Sequence, residues 1–392
     1  MLANSELKSK NIFANITQSK FSTFLPVALA LIVIWLYFGL TTDAFFSARN
    51  FYYLFLQSTV VAVLAVGITI VLLLGHIDLS IAAVAGVGAA IMAVLVSQFG
   101  MSAPLACVIA IFTCILIGVV QGLLVAIIGI PSFVVTLAGL LGFQGVMLKI
   151  LGNDGAINVR DSFIRGITTE TLPTTTSWII LAFVILFMIY NAYINYKERA
   201  ALSLEVESIF ISTLRVSIVT LISITFVWVM NSYRGIPVAI VILLCLTLLF
   251  SYVTKNTPYG RALFAVGGNE ESARRVGISI QKTTIYAFAI IGGVSALGGI
   301  IAASRYASVS YNAFSGNLLL DAIGAAVVGG TSLFGGRGSV WNAILGALVI
   351  GSLGNGLDLT GATTADKLMV SALILVSAVA IDAISRKKGK KV

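Results

Sequence analysis

The chain alternates between long runs with almost no polar residue and short polar interruptions. The runs are apolar on every side, without the two-residue alternation of barrel strands or the one-sided stripe of a soluble helix. Many reach roughly 18–20 residues, the length a helix needs to cross the hydrocarbon core. The pattern predicts an all-α polytopic membrane protein with about twelve transmembrane helices and both termini cytoplasmic. The expected spans are 24–40, 51–74, 79–99, 104–128, 132–150, 178–195, 209–230, 236–253, 283–303, 317–333, 339–358 and 366–384. They make up a permease domain over 24–384, between an N-terminal cytoplasmic tail (1–23) and a basic tail (385–392). The tenth span is the weakest: it contains Asp321 and several glycines, which fits a broken or re-entrant segment.

Composition agrees. Of the 392 residues, 59% are hydrophobic and 10% charged, against about 25% charged in soluble domains. The net charge of +9 does not point to nucleic acid, because the basic residues sit in loops and tails. With both termini inside, seventeen of the 24 Lys and Arg residues fall on the cytoplasmic side and seven outside, as the positive-inside rule requires. An even number of spans also places both basic tails on one side. The first apolar run is followed by no fitting small-residue cleavage site, so no removable leader is expected. Cys107, Cys114 and Cys245 lie within apolar runs and have neither metal nor disulfide spacing. They read as small buried hydrophobes.

The interruptions hold the candidate chemistry. A polar loop, 151–177, faces outward. The longest cytoplasmic loop, 254–282, includes GRALFAVGGNEESARRVGI. Asn269 can cap a short helix, with Glu270 and Glu271 in its first turn, Arg274 and Arg275 near its end, and Gly277 as a left-handed stop. Such a helix is too charged to insert. It is either a solvated connector or a docking element for a cytoplasmic partner. Asp321 is a carboxylate inside a span, which marks a functional candidate, although a structural carboxylate bonded to a helix end reads as well. At the turn after the second span, Asp78 fits a cap of the third, and His76 beside it is no metal site. Gln57, Gln121, Gln144, Asn342 and Asn355 are amides on apolar helices. They either line a path for a hydroxyl-rich solute or join helices. There is no Gly-rich loop ending in Gly-Lys-Ser/Thr, so ATP, if used, is hydrolysed on another chain. GHIDL (75–79) and GTSLF (330–334) each close an inward span and precede an outward one rich in Gly and Ala. That pattern matches a parallel internal repeat.

GHIDLSIAAVAG, IPSFVVTLAGLLGFQG, YGRALFAVGGNEESARRVGI, SRYASVSYNAFSGNLLLDAIGAAVVGGTSLFGGRGS and LGNGLDL occur in this order. With the basic C-terminus, they resemble the permease subunits of monosaccharide ABC importers, the ribose, xylose, arabinose and galactose group. The resemblance runs from Asn50 to Lys388, except for a stretch near 155–230. There the chain has an extra helix pair (178–230) joined by NYKERAALSLEVES, a feature similar to the xylose-type branch. His76 stands where the family commonly has Gly. The resemblance implies a bacterial inner-membrane subunit working as two copies, with a cytoplasmic ATPase pair and a periplasmic sugar-binding protein. No cofactor, metal or catalytic residue is implied in this chain. It also implies that Gly267, Gly268, Asn269, Glu270, Glu271, Ala273, Arg274 and Gly277 form the coupling segment that meets the ATPase. Gln57, Asp78, Gln121, Gln144, Asp321 and Asn355 are the candidate path residues.

Overall fold

The computed structural model describes residues 25–201 and 209–389, so the expected N-terminal tail and the end of the C-terminal tail lie outside the described residues. Helices dominate: α1 (Leu25–Thr41), α2 (Ala48–Leu73), α3 (Ile81–Ser97), α4 (Ala103–Leu123), α5 (Ser132–Leu151), α6 (Ser162–Thr169), α7 (Thr174–Ala201), α8 (Ile209–Asn231), α9 (Val238–Asn256), α10 (Pro258–Gly268), α11 (Glu270–Arg275), α12 (Ile280–Tyr306), α13 (Tyr311–Ser315), α14 (Leu318–Val328), α15 (Val340–Leu359) and α16 (Thr364–Gly389). Among the described residues eight helices are long and apolar enough to cross a membrane, and α1 and α3 are apolar but shorter. The chain is an all-α polytopic membrane protein.

Caps and stops set the boundaries. Ser47 caps α2, its hydroxyl accepting from the Asn50 amide. α4 runs into one π-helical turn, Leu124–Ile128, and stops at left-handed Gly129 (φ 82°); Pro131 then fixes the entry to α5. The expected tenth span is helical only over Leu318–Val328, eleven residues or about 16 Å, too short to cross by itself. Gly316 and left-handed Gly330 (φ 88°) bound it.

The core is built around α2 and α12. Of their most apolar windows, 94% and 72% are buried inside the bundle, against 11% for each of α7 and α8. α12 lies against α2, α3 and α4, while α15 packs on α1, α2 and α14. Small residues allow these approaches. A β-carbon at Gly292 of α12 would collide with the Cys114 carbonyl of α4, so the two backbones touch directly. Of the three cysteines only Cys114 is buried; Cys245 is exposed on α9, which corrects the expectation that all three are interior.

The expected outer loop is structured. β1 (Ala156–Asn158) pairs antiparallel with β2 (Ser308–Ser310), and α6 follows β1. The Thr168 and Ser304 hydroxyls meet at 2.7 Å, which seats α6 on the end of α12. The extra helix pair leaves and rejoins the bundle at one point: the Leu172 amide donates to the Ile236 carbonyl at 2.9 Å. It meets the core near that end, where Phe226 stands edge-on to Phe55 (4.9 Å) and Tyr233 to Tyr52 (5.4 Å).

Candidate functional site

Two regions at opposite ends of the bundle collect the candidate residues. The first is a cavity of about 590 Å³ at the end bearing β1 and β2. α2 contributes Gln57 and α14 contributes Asp321; Arg305, Ser308, Asn312 and Asn317 are among the other polar residues of the lining. Two side chains that lie 264 positions apart in sequence therefore share one space. The position follows from local chemistry. The break at Gly316 stops the chain before α14 and leaves Asn317 at its N-cap and Asp321 in its first turn, both at the cavity wall. Arg305 and Tyr306 end α12, where the guanidinium donates to the Tyr306 hydroxyl at 3.2 Å. The lining offers amide, hydroxyl and charged partners to a polyol without enclosing it in charge.

The other path candidates lie elsewhere. Asn355 and Asn50 donate to each other's side-chain oxygens, both at 2.9 Å, and both residues are buried. The Asn355 amide is thus spent on joining α15 to α2. Asp78 is buried, its Oδ1 accepting from the Ser80 amide (2.6 Å) and hydroxyl (2.7 Å). Both bonds come from Ser80, the residue just before α3, so the carboxylate braces the turn that leads into the helix. Burial pushes its carboxyl above the usual range, opposed by these bonds. Gln121 donates to Ser80 at 2.9 Å, tying α4 to this turn. Gln144 is half-buried on α5, and Asn342 is buried on α15.

The second region is the charged loop at the other end. Asn269 caps α11, its Oδ1 accepting from the Ser272 amide at 2.8 Å. Glu270 pairs with Arg274 (3.0 Å) and Glu271 with Arg275 (3.2 Å), all well exposed. Ala273 alone is buried in this helix, and Gly277 is left-handed (φ 83°). The result is a six-residue helix showing two carboxylates and two guanidinium groups outward, held by one small apolar contact. Its ion pairs contribute only about 0.3–0.5 kcal/mol each, so they add little to stability. His76 sits half-buried below; burial holds its imidazole under the ordinary value, and Glu270 partly opposes this.

The sequence reading missed α10, the eleven-residue helix that supports α11. Its signal was present: Thr257 accepts from the Gly260 amide, and Pro258 occupies the first helical position. Leu263 and Val266 are its buried face. Gly267, its penultimate residue, sits in a tight backbone junction. A β-carbon there would collide with the Leu73 carbonyl and lie 2.7 Å from the Gly336 nitrogen. Gly268 beside it faces open space.

Comparison with known proteins gives this arrangement its family. The profile of the branched-chain amino acid transport system / permease component family matches residues 50–379. The chain belongs to this family. Among curated relatives, it is 34% identical to the xylose transport system permease protein XylH of Escherichia coli (strain K12), covering 96% of this chain and 95% of the relative. It is 33% identical to XylH of Haemophilus influenzae, over 92% of this chain and 96% of the relative. The ribose import permease protein RbsC of the same organism is 30% identical, over 95% and 97%. No solved structure matches the chain. The permease's matched region includes both the cavity and α11.

Proposed function

We propose that the chain is the membrane-spanning permease subunit of an ATP-driven monosaccharide importer in the bacterial inner membrane, with xylose as its sugar. The observation that carries this reading is near-full-length similarity to two xylose permeases, ahead of the ribose permease. In this reading the cavity end faces the periplasm and receives sugar from a binding protein. α10 and α11 face the cytoplasm and dock an ATPase subunit, Glu270, Glu271, Arg274 and Arg275 being the charged contacts and Asn269, Ala273 and Gly277 shaping the helix. Two copies of the permease form the working unit, with the remaining apolar surface in lipid.

The same reading gives twelve passes. The tenth is α13, Gly316, α14 and the following loop, running from Ser310, paired at the hairpin end, to Gly336, bonded to Leu73 at the other. Non-helical backbone at membrane depth is tolerated where it lines a cavity, and Gly316 and Asn317 do so. An even count returns the C-terminus to the side of the N-terminus, where the basic excess lies.

Gln57 and Asp321 are the path residues this reading retains, with hydroxyl and amide neighbours suited to a neutral sugar. Deleting the gene and following uptake of labelled xylose, ribose, arabinose, galactose and leucine at micromolar concentration tests the assignment. Loss of xylose uptake alone is expected. Intact xylose uptake with loss of another sugar overturns the xylose assignment, and loss of leucine uptake alone overturns the sugar class.

A further inference from the structure

Three of the helices that line the cavity, α2, α12 and α14, lead to the charged loop. α12, which supplies Arg305, follows α11 directly through Gly277 and Ser279. α2, which supplies Gln57, Val60 and Val61, runs about 24 Å from Gln57 to Leu73. α14, which supplies Leu318 and Asp321, continues into the loop 329–339. The end of α2 and this loop meet Gly267, the penultimate residue of α10. The Gly336 amide donates to the Leu73 carbonyl at 2.9 Å. A β-carbon at Gly335 would lie 2.7 Å from the Gly267 oxygen and 2.9 Å from the Gly75 nitrogen; one at Gly336 would lie 2.9 Å from the Gly268 Cα. Gly335 and Gly336 are also left-handed (φ 85° and 72°), so a side chain at either is strained as well as crowded.

Three backbones thus interlock with no side chain between them. A side chain has rotamers that absorb a displacement; touching backbones do not, and close-packed interiors pass strain on. We propose that Gly267, Gly335 and Gly336 are positioning residues for coupled transport. In this assignment they clamp α10 to the ends of α2 and of the loop after α14, so that movement of α11 changes the spacing of Gln57 and Asp321. This rests on the importer reading above, and it assigns the link between the two ends to a backbone joint three residues before the charged helix rather than to the helix's own charges.

The test uses the complete transporter, permease with ATPase and binding protein, in nanodiscs. Asn317→Cys, in a background without the three native cysteines, reports on the cavity through its rate of thiol modification. Rates are compared without nucleotide and with ATP trapped on a hydrolysis-deficient ATPase. We expect at least about a fivefold difference between the states, the low end of allosteric coupling. Gly267→Ala should remove that difference while the complex still assembles. Gly142→Ala, a helical glycine facing open space, should preserve it. An undiminished difference in Gly267→Ala overturns the proposal, as does a parent complex with no difference. If Gly267→Ala does not fold, hydrogen exchange on the parent decides. Amides 333–338 protected in both nucleotide states support a rigid joint, and opening in either state overturns it. Failure to co-purify with any ATPase would sink the importer reading instead and is seen before any labelling.

Discussion

Asn50 and Asn355 allow a stability prediction that separates a structural amide from a sugar-binding one. Replacing Asn355 by Ala removes two interhelical bonds of 2.9 Å but leaves the Asn50 amide its bond to the Phe45 carbonyl, also 2.9 Å. What is stranded is the Asn50 oxygen, in a residue only 8% exposed. Interhelical bonds in membrane proteins average about 0.6 kcal/mol and reach about 1.7. Two of them, plus about 1 kcal/mol for a buried acceptor left alone, give a loss of about 2 kcal/mol. Asn50→Ala should cost more, because it strands both groups of Asn355 and frees the Phe45 carbonyl. The double variant should cost less than the sum of the singles, with a coupling of about 1 kcal/mol. Unfolding in mixed micelles, with the four proteins compared at fixed detergent ratio, reads these values. The sugar concentration giving half-maximal uptake should not move in Asn355→Ala. Strict additivity, or a loss below about 0.5 kcal/mol with a shifted sugar dependence, would refute the packing assignment and return Asn355 to the path.

Three further outcomes follow from the fold. Single cysteines at Ser162 and Ser310, in a background lacking Cys107, Cys114 and Cys245, should react with an impermeant reagent from outside, and one at Ser272 should not; outside labelling at Ser272 breaks the topology (Ser203, on the same expected inner side, lies outside the described residues). Exchanging Glu270 and Arg274 together for Ala removes one exposed pair worth about 0.3–0.5 kcal/mol, so the permease should insert normally while ATP turnover of the complex no longer responds to sugar-loaded binding protein; Gly277→Val should act likewise, and unchanged stimulation would make α11 a connector. Replacing residues 173–235 by a short turn should leave a folded bundle, because Leu172 and Ile236 are already hydrogen bonded and the uncovered Phe55 and Tyr52 would meet lipid as apolar as the lost helices; aggregation of that variant would mean the extra pair holds the core.

Hydropathy located the long helices because a lipid-facing or buried span must be apolar throughout, and α2, α4, α5 and α9 start and stop within a few residues of expectation. Where helices are cut by local backbone geometry, hydropathy reads through. α14 loses its ends to Gly316 and Gly330, whereas the expected span ran over 317–333. α10 was hidden for the opposite reason: only Gly260, Leu263 and Val266 of its eleven residues are buried, too narrow a face to stand out in a basic loop. The cap at Asn269 and the stop at Gly277 were legible because they depend on neighbours one to three positions away. The fate of an amide depends on what lies opposite: Gln57 opens into the cavity with Asp321, whereas Asn355 closes on Asn50, 305 positions distant. Nor does the sequence distinguish Gly267 from Gly268. Their environments differ because a side chain at Gly267 would run into the Leu73 carbonyl and the Gly336 nitrogen, whereas one at Gly268 would point into open space.

The central claim is that this permease moves a monosaccharide under the control of an ATPase docked on α11. It is tested most directly by reconstituting permease, ATPase and binding protein in sealed vesicles, with ATP supplied on the ATPase side, and measuring labelled xylose entering the other way. Uptake should require ATP and the binding protein, persist when ion gradients are collapsed, and disappear when Glu270 and Arg274 are both replaced. Xylose accumulation driven by a proton or sodium gradient without ATP would contradict it.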